Sequence, residues 1–283
     1  MTRYGMVVDL SRCTACYGCF TSCKDEFWEN DYPPYSVGQP RFGQFWINVQ
    51  KKERGEYPYI KVGYMPLLCQ QCADAPCMKA AKGGAIYRTE GVVIIDPEKA
   101  VGQKEIVGSC PYGAIYWNEE KKLPQKCTLC IHRVQGGKKP RCVQFCPSGC
   151  LTFGDFDDPK SEVSKLLAAG KAEVFHPEWG TQPGVYYADL KEATGIFVAG
   201  SVIYGDVDAC AEGATVVLKG PGGKQMRTKA NAFGDFEFDG LMPGAYVATM
   251  RAPGYKGRAL NFEVKTSEYL GVFSLVRNGQ ART

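Results

Sequence analysis

The stretch CTACYGCFTSC, Cys13 to Cys23, sets four cysteines at the spacing C-x2-C-x2-C-x3-C. Thiolates spaced this way wrap one 4Fe–4S cubane with the first three and hand the fourth to a neighbouring cluster. The stretch therefore requires partners elsewhere in the chain. Fourteen cysteines are present, and all but Cys210 precede residue 151. The opening residues MTRYGMVVDLSRC contain no basic segment followed by an apolar run, so no export leader is expected. Dense cysteines in that setting read as metal ligands before they read as disulfides.

Two further groups follow. Cys127-x2-Cys130-x11-Cys142-x3-Cys146-Pro147 has a long central gap that a structural zinc ribbon could also use. Taken alone it fits zinc and iron–sulfur equally. Cys69-x2-Cys72-x4-Cys77 holds only three cysteines and needs a fourth, and the free candidate is Cys110, which precedes Pro111 as a closing ferredoxin cysteine does.

An internal repeat supports that choice. VVDLSRCTACYGCFTSC, from Val7, aligns with IIDPEKAVGQKEIVGSC, from Ile94, so that Asp9 meets Asp96 and Cys23 meets Cys110. Cys13, Cys16 and Cys19 then meet Ala100, Gln103 and Ile106. AKGGAIY from Ala81 likewise lies over CPYGAIY from Cys110, putting Ala81 where a closing cysteine would stand. Crossed ligation gathers these four replaced positions into a single site, so one cluster is absent and its neighbour is complete.

The same crossing gives three 4Fe–4S clusters. The first takes Cys13, Cys16, Cys19 and Cys146; the second takes Cys23, Cys127, Cys130 and Cys142; the third takes Cys69, Cys72, Cys77 and Cys110. A separate zinc at the last motif would strand Cys23. Cys150, which aligns with Ala114, and Cys210 read as packed thiols. Pro111 and Pro147 suit the turn after a crossing cysteine, and Ile86, Ile115 and Leu151 are expected to cover cluster faces. His132 reads as a polar surface or interface residue and His176 has no ligand-spaced partner. The sequence offers no nucleophile–base pair, and GPGGK at Gly220–Lys224 lacks phosphate-loop spacing. No catalytic residue is expected in this chain.

Around the cysteines the chain divides into parts. Residues 1–155 form a polyferredoxin region, interrupted by an aromatic-rich insertion at about 27–65. Residues 156–194 read as a linking strap with one helical candidate, PKSEVSKLLAAGKAEVF. From 195 to 283, short β-branched and aromatic runs between Gly, Pro and Asn predict a small antiparallel β-sandwich or barrel. The fold class expected is thus α+β, tandem ferredoxin-like 4Fe–4S domains followed by that β-domain. The 34 basic and 30 acidic residues are too balanced to point to nucleic acid. No apolar run approaches the roughly 20 residues of a membrane span.

The order of the four cysteine groups, with KCTLCIHRVQGGKKPRCVQFCPSG, LTFGDFDDPKSEV and GTQPGVYY, resembles the iron–sulfur subunits of the dimethyl sulfoxide reductase family of molybdopterin enzymes. The usual member has four clusters, so the missing one narrows the resemblance. It is nearest to members acting on polyhydroxylated aromatics, on the strength of MVVDLSRC, KKERGEYP, GAIYRTEGVVIIDPEKA and CPYGAIYWNEE. The resemblance implies a cytoplasmic heterodimer whose large subunit carries molybdenum on two pyranopterin guanine dinucleotides and binds the phenol, while this chain moves electrons. Hydroxyl transfer, resorcinol hydroxylation and catechol dehydroxylation are all compatible with it. The β-domain is similar to carboxypeptidase regulatory or transthyretin-like sandwiches and would serve docking or stability. A freestanding polyferredoxin and a structural zinc-binding module are the rival classes.

Overall fold

A computed structural model describes residues 2–279. The chain forms two compact units, one built from the residues up to Lys51 together with Tyr64–Glu192, the other from Lys52–Gly63 with the residues from Ala193 onward. Most ordered residues are in strands, and the longest helix, Gly18–Phe27, has 10 residues. Among the described residues no helix is long and apolar enough to cross a membrane.

The first unit is organised on a four-stranded sheet in the order Leu151–Asp155, Tyr4–Asp9, Val185–Ala188, Ala172–Val174. Its centre is YGMVVD, whose Met6, Val7 and Val8 are buried together, as a strand covered on both faces requires. Val185–Ala188 pairs with it in parallel, Met6 opposite Val185 and Asp9 opposite Ala188. The expected strap is therefore part of the cysteine-rich unit: its helix Glu162–Ala168 buries Val163, and its strands complete the sheet. Local Gly and Pro signals suggest a connector, and only the pairing with the first strand shows otherwise.

Two hairpins carry the repeat seen in the sequence. Ile86–Thr89 pairs with Val92–Ile95, and Ile115–Asn118 pairs with Leu123–Lys126. Each begins at the Ile of a GAIY segment, and both isoleucines are buried.

The insertion also differs from its expected outline. The paired strands Ile47–Glu56 and Tyr59–Leu68 extend beyond residue 65, and their turn region Lys52–Gly63 belongs to the second unit. There Lys61 pairs with Asp239 at 2.9 Å and with Glu237.

The second unit has two four-stranded sheets. One centres on Ile196–Tyr204, flanked by Asp235–Leu241, the short Ala209–Cys210, and Glu268–Leu275; the other runs Gln225–Lys229, Thr215–Lys219, Gly244–Arg251, Arg258–Val264. Val202, Phe236 and Phe273 from the first meet Val216, Ala248 and Met250 from the second in one apolar core, which makes a sandwich and not a closed barrel. The first sheet is mixed, because Glu268–Leu275 pairs with Ile196–Tyr204 in parallel. This corrects the expectation of purely antiparallel pairing, since strand patterning carries no directional signal. Gly200 leaves room between the strands, since a Cβ there would stand 2.7 Å from the Phe236 ring.

Candidate iron–sulfur centres

The residue before the second cysteine in the first C-x-x-C pair of three cysteine groups adopts the left-handed conformation: Ala15 at φ 53°, Gln71 at φ 50° and Leu129 at φ 50°. Non-glycine residues visit this region rarely, so three at one motif position mark a repeated backbone wrap. The wrap turns peptide N–H groups toward sulfur. Leu129 N–H donates to Cys127 Sγ at 3.4 Å and Arg141 N–H to Cys130 Sγ at 3.5 Å. Such donors favour the thiolate and tune whatever the sulfur ligates.

The thiols meet in sets. Cys69, Cys72, Cys77 and Cys110 line one small cavity, with Val93, Pro111, Tyr112 and Ile115 among its walls. Cys13, Cys16, Cys19 and Cys146 line a second, with Leu151. Burial, with the charges of Cys13, Cys146 and Cys16 added, raises the Cys19 thiol to about 12. Cys23, wholly buried, is pushed up by burial and then by the charges of Cys130, Cys127 and Cys142, which lie near enough to act on it. Helix Gly18–Phe27 explains the crossing: Cys19 and Cys23 lie one turn apart on one face, about 5–6 Å between Cβ atoms, yet face different sets.

Among the described residues no three His, Cys, Asp or Glu side chains converge tightly enough for a single metal ion. The all-sulfur donor sets and the N–H groups aimed at sulfur fit a 4Fe–4S cubane.

The segment aligned with the first motif keeps its left-handed turn and holds no cysteine before Cys110. Gly102, aligned with Ala15, is also left-handed, at φ 80°. Ala100 and Ile106 are fully buried. Gln103 accepts from the Lys82 N–H at 2.8 Å and donates to the carbonyls of Lys99 at 2.8 Å and Lys82 at 3.2 Å. Ile86, expected over a cluster face, is buried but lines neither cavity, whereas Ile115 and Leu151 do.

Cys150 is buried, lines the cavity of Cys13 and shares a hydrogen bond with that thiol, which lowers Cys13 to about 6. Cys210 is exposed and is not the packed thiol expected, because its two-residue edge strand faces solvent. His132 is largely buried: its Nε2 lies 3.0 Å from Glu26 and its ring stacks on Tyr32 at 3.7 Å. Glu26 also binds Arg133 at 3.1 Å and Arg141 at 3.4 Å, so part of the basic loop His132–Arg141 serves the interior. His176 stacks on Trp179 and contacts Glu178.

Other residues at the site carried no cysteine signal. Thr181, buried in the GTQPG segment, lies 2.7 Å from the Tyr112 hydroxyl and hydrogen-bonds Cys72. Gln71 donates to the Cys127 carbonyl at 2.9 Å and accepts from the Val93 N–H at 2.9 Å. Lys126 is buried beside Cys127. Their only mark in the sequence is adjacency to a cysteine or to GTQPG.

A 4Fe–4S dicluster domain model matches residues 60–156, and a carboxypeptidase regulatory-like domain model matches residues 198–272. The chain is 40% identical over 259 residues to the pyrogallol hydroxytransferase small subunit of Pelobacter acidigallici, covering 90% of this chain and 92% of that one. It is 38% identical to one of the subunits of sulfite dehydrogenase from Allochromatium vinosum, over 66% of this chain and 83% of that one. It is 34% identical to one of the subunits of tetrathionate reductase from Salmonella typhimurium, over 68% of this chain and 74% of that one. Thiol sets wrapped by a repeated ferredoxin backbone, joined to a β-rich domain, define an iron–sulfur electron-transfer protein that holds 4Fe–4S clusters. The chain belongs to the iron–sulfur subunits of the dimethyl sulfoxide reductase family of molybdopterin enzymes, the electron-transfer subunits of oxidoreductase complexes.

Proposed function

We propose that this chain carries three 4Fe–4S clusters on the three cysteine sets and forms a cytoplasmic heterodimer with a large molybdopterin subunit. That partner holds molybdenum on two pyranopterin guanine dinucleotides and moves a hydroxyl group on a polyhydroxylated aromatic, pyrogallol to phloroglucinol. This chain supplies no substrate chemistry. Its clusters exchange electrons with the partner's metal, and its β-sandwich serves docking or stability.

The observation that carries this reading is the extent of one similarity. The match to the pyrogallol hydroxytransferase small subunit covers 90% of this chain, against 66% and 68% for the sulfite and tetrathionate enzymes. It therefore takes in most of both units, including the sandwich.

The test is to express the chain with and without its large molybdopterin partner, then to assay hydroxyl transfer on pyrogallol and acceptor-dependent hydroxylation of resorcinol. Hydroxyl transfer by the pair, with none by this chain alone, is expected. Acceptor-dependent activity alone would move the protein to a resorcinol hydroxylase or catechol dehydroxylase. Absence of any molybdopterin partner would reduce it to a freestanding polyferredoxin.

A further inference from the structure

Lys126 is 2% exposed, and it ends the strand Leu123–Lys126, all four residues of which are buried. Its ammonium donates to the carbonyl of Val93 and, at 3.2 Å, to that of Cys127. No carboxylate pairs with it among the described residues. Taking a lysine out of water is costly unless its charge is met, and two carbonyl dipoles do not cancel a full charge.

What flanks Lys126 supplies the missing charge. Val93 lines the cavity of Cys69, Cys72, Cys77 and Cys110, and so does Ile115, the cross-strand partner of Lys126. On the other side, Cys127 belongs to the set with Cys23, Cys130 and Cys142. Gln71 ties the same two neighbours, Val93 and Cys127, together, which fixes the ammonium between the sets. The positive charge favours the thiolates of Cys77, Cys110 and Cys127 alike.

We infer that Lys126 is the internal counter-ion of two adjacent clusters and raises the reduction potential of both. The inference rests on the ligand sets proposed above. A 4Fe–4S core with four thiolates is a net anion and gains one more negative charge when it accepts one electron. A fixed cation stabilises the more negative state more strongly, and a buried one is poorly screened by salt. The reduction moves one electron from the donor to the cluster.

The experiment is a potentiometric titration of the whole complex with dithionite, followed by electron paramagnetic resonance, for the parent, Lys126→Met, Lys126→Arg and the exposed control Lys160→Met. Lys126→Met should keep the parental iron content and shift two midpoints negative, at low and high salt alike. The midpoint of the cluster on Cys13, Cys16, Cys19 and Cys146 should stay in place. Lys126→Arg should return the two midpoints toward parent, and Lys160→Met should move none. Intact clusters with unmoved midpoints in Lys126→Met would overturn the inference. Should Lys126→Met fail to load iron, Lys126→Arg decides: parental iron and near-parental midpoints support the counter-ion, and iron loss there too overturns it. Failure of the ligand sets themselves would show in the parent, as a cluster number other than three.

Discussion

Gln103 holds Lys82 by two hydrogen bonds, accepting from its N–H at 2.8 Å and donating to its carbonyl at 3.2 Å. Lys82 follows Ala81, the position aligned with a closing cysteine, and Gln103 is itself aligned with Cys16. An amide clip thus joins two segments at positions aligned with cysteines. The turn at Gly102 is left-handed, as it is at the aligned Ala15.

Gln103→Ala should lower stability by about 1–2 kcal/mol, the net worth of two or three partly exposed hydrogen bonds, and leave the iron content unchanged. Anaerobic thermal unfolding with parallel iron analysis reads both. Loss of iron would show that Gln103 supports a cluster and does not replace one.

Gln103→Cys alone should add no iron, because Ala81, Ala100 and Ile106 still offer no ligand. A gain of four irons per chain in this variant would mean that the other ligands come from elsewhere.

Cys110→Ser should damage the cluster on Cys69, Cys72 and Cys77 and spare those built by the first and last motifs. The reduced variant should lack one component of the parental electron paramagnetic resonance. Indistinguishable spectra would refute the crossed pairing.

Glu26→Ala should destabilise the first unit by about 2 kcal/mol. It strips His132, Arg133 and Arg141 of their shared partner, and the two arginines keep enough water to hold the cost below that of a fully buried pair. Burial opposes the charge on Glu26, but hydrogen bonds from His132 and Arg133 hold its carboxyl below the usual range. Glu26→Gln, which keeps an acceptor, should cost less than Glu26→Ala in the same unfolding assay. Equal costs would show that the charge contributes nothing.

Gly200→Val should destabilise the sandwich by about 1–3 kcal/mol by overpacking, since even a Cβ there meets Phe236 at 2.7 Å and Phe273 at 3.1 Å. Its iron content should equal the parent's. A drop in iron would tie the second unit to cluster assembly.

Cysteine spacing is a strong local signal, and with the repeat it sorts the thiols into the groups that meet around the two cavities. It also puts Ala81, Ala100, Gln103 and Ile106 in register with cysteines. What the sequence hides is long-range or contextual. Nothing local says that Val185–Ala188 will pair in parallel with Tyr4–Asp9, so the segment carrying it reads as a strap. Every residue of Leu123–Lys126 is buried, and no local pattern marks Lys126, because its burial depends on neighbours brought in by other segments. Cys210 misleads in the opposite direction, since burial of a thiol in a two-residue strand cannot be judged without knowing which sheet edge it occupies.

Iron and acid-labile sulfide per chain, measured on anaerobically purified protein, test the central claim most directly. Three four-iron clusters predict about 12 iron and about 12 sulfide. A value near about 16 iron would restore a fourth cluster at the site clipped by Gln103, and stoichiometric zinc in place of iron would contradict the iron–sulfur assignment altogether.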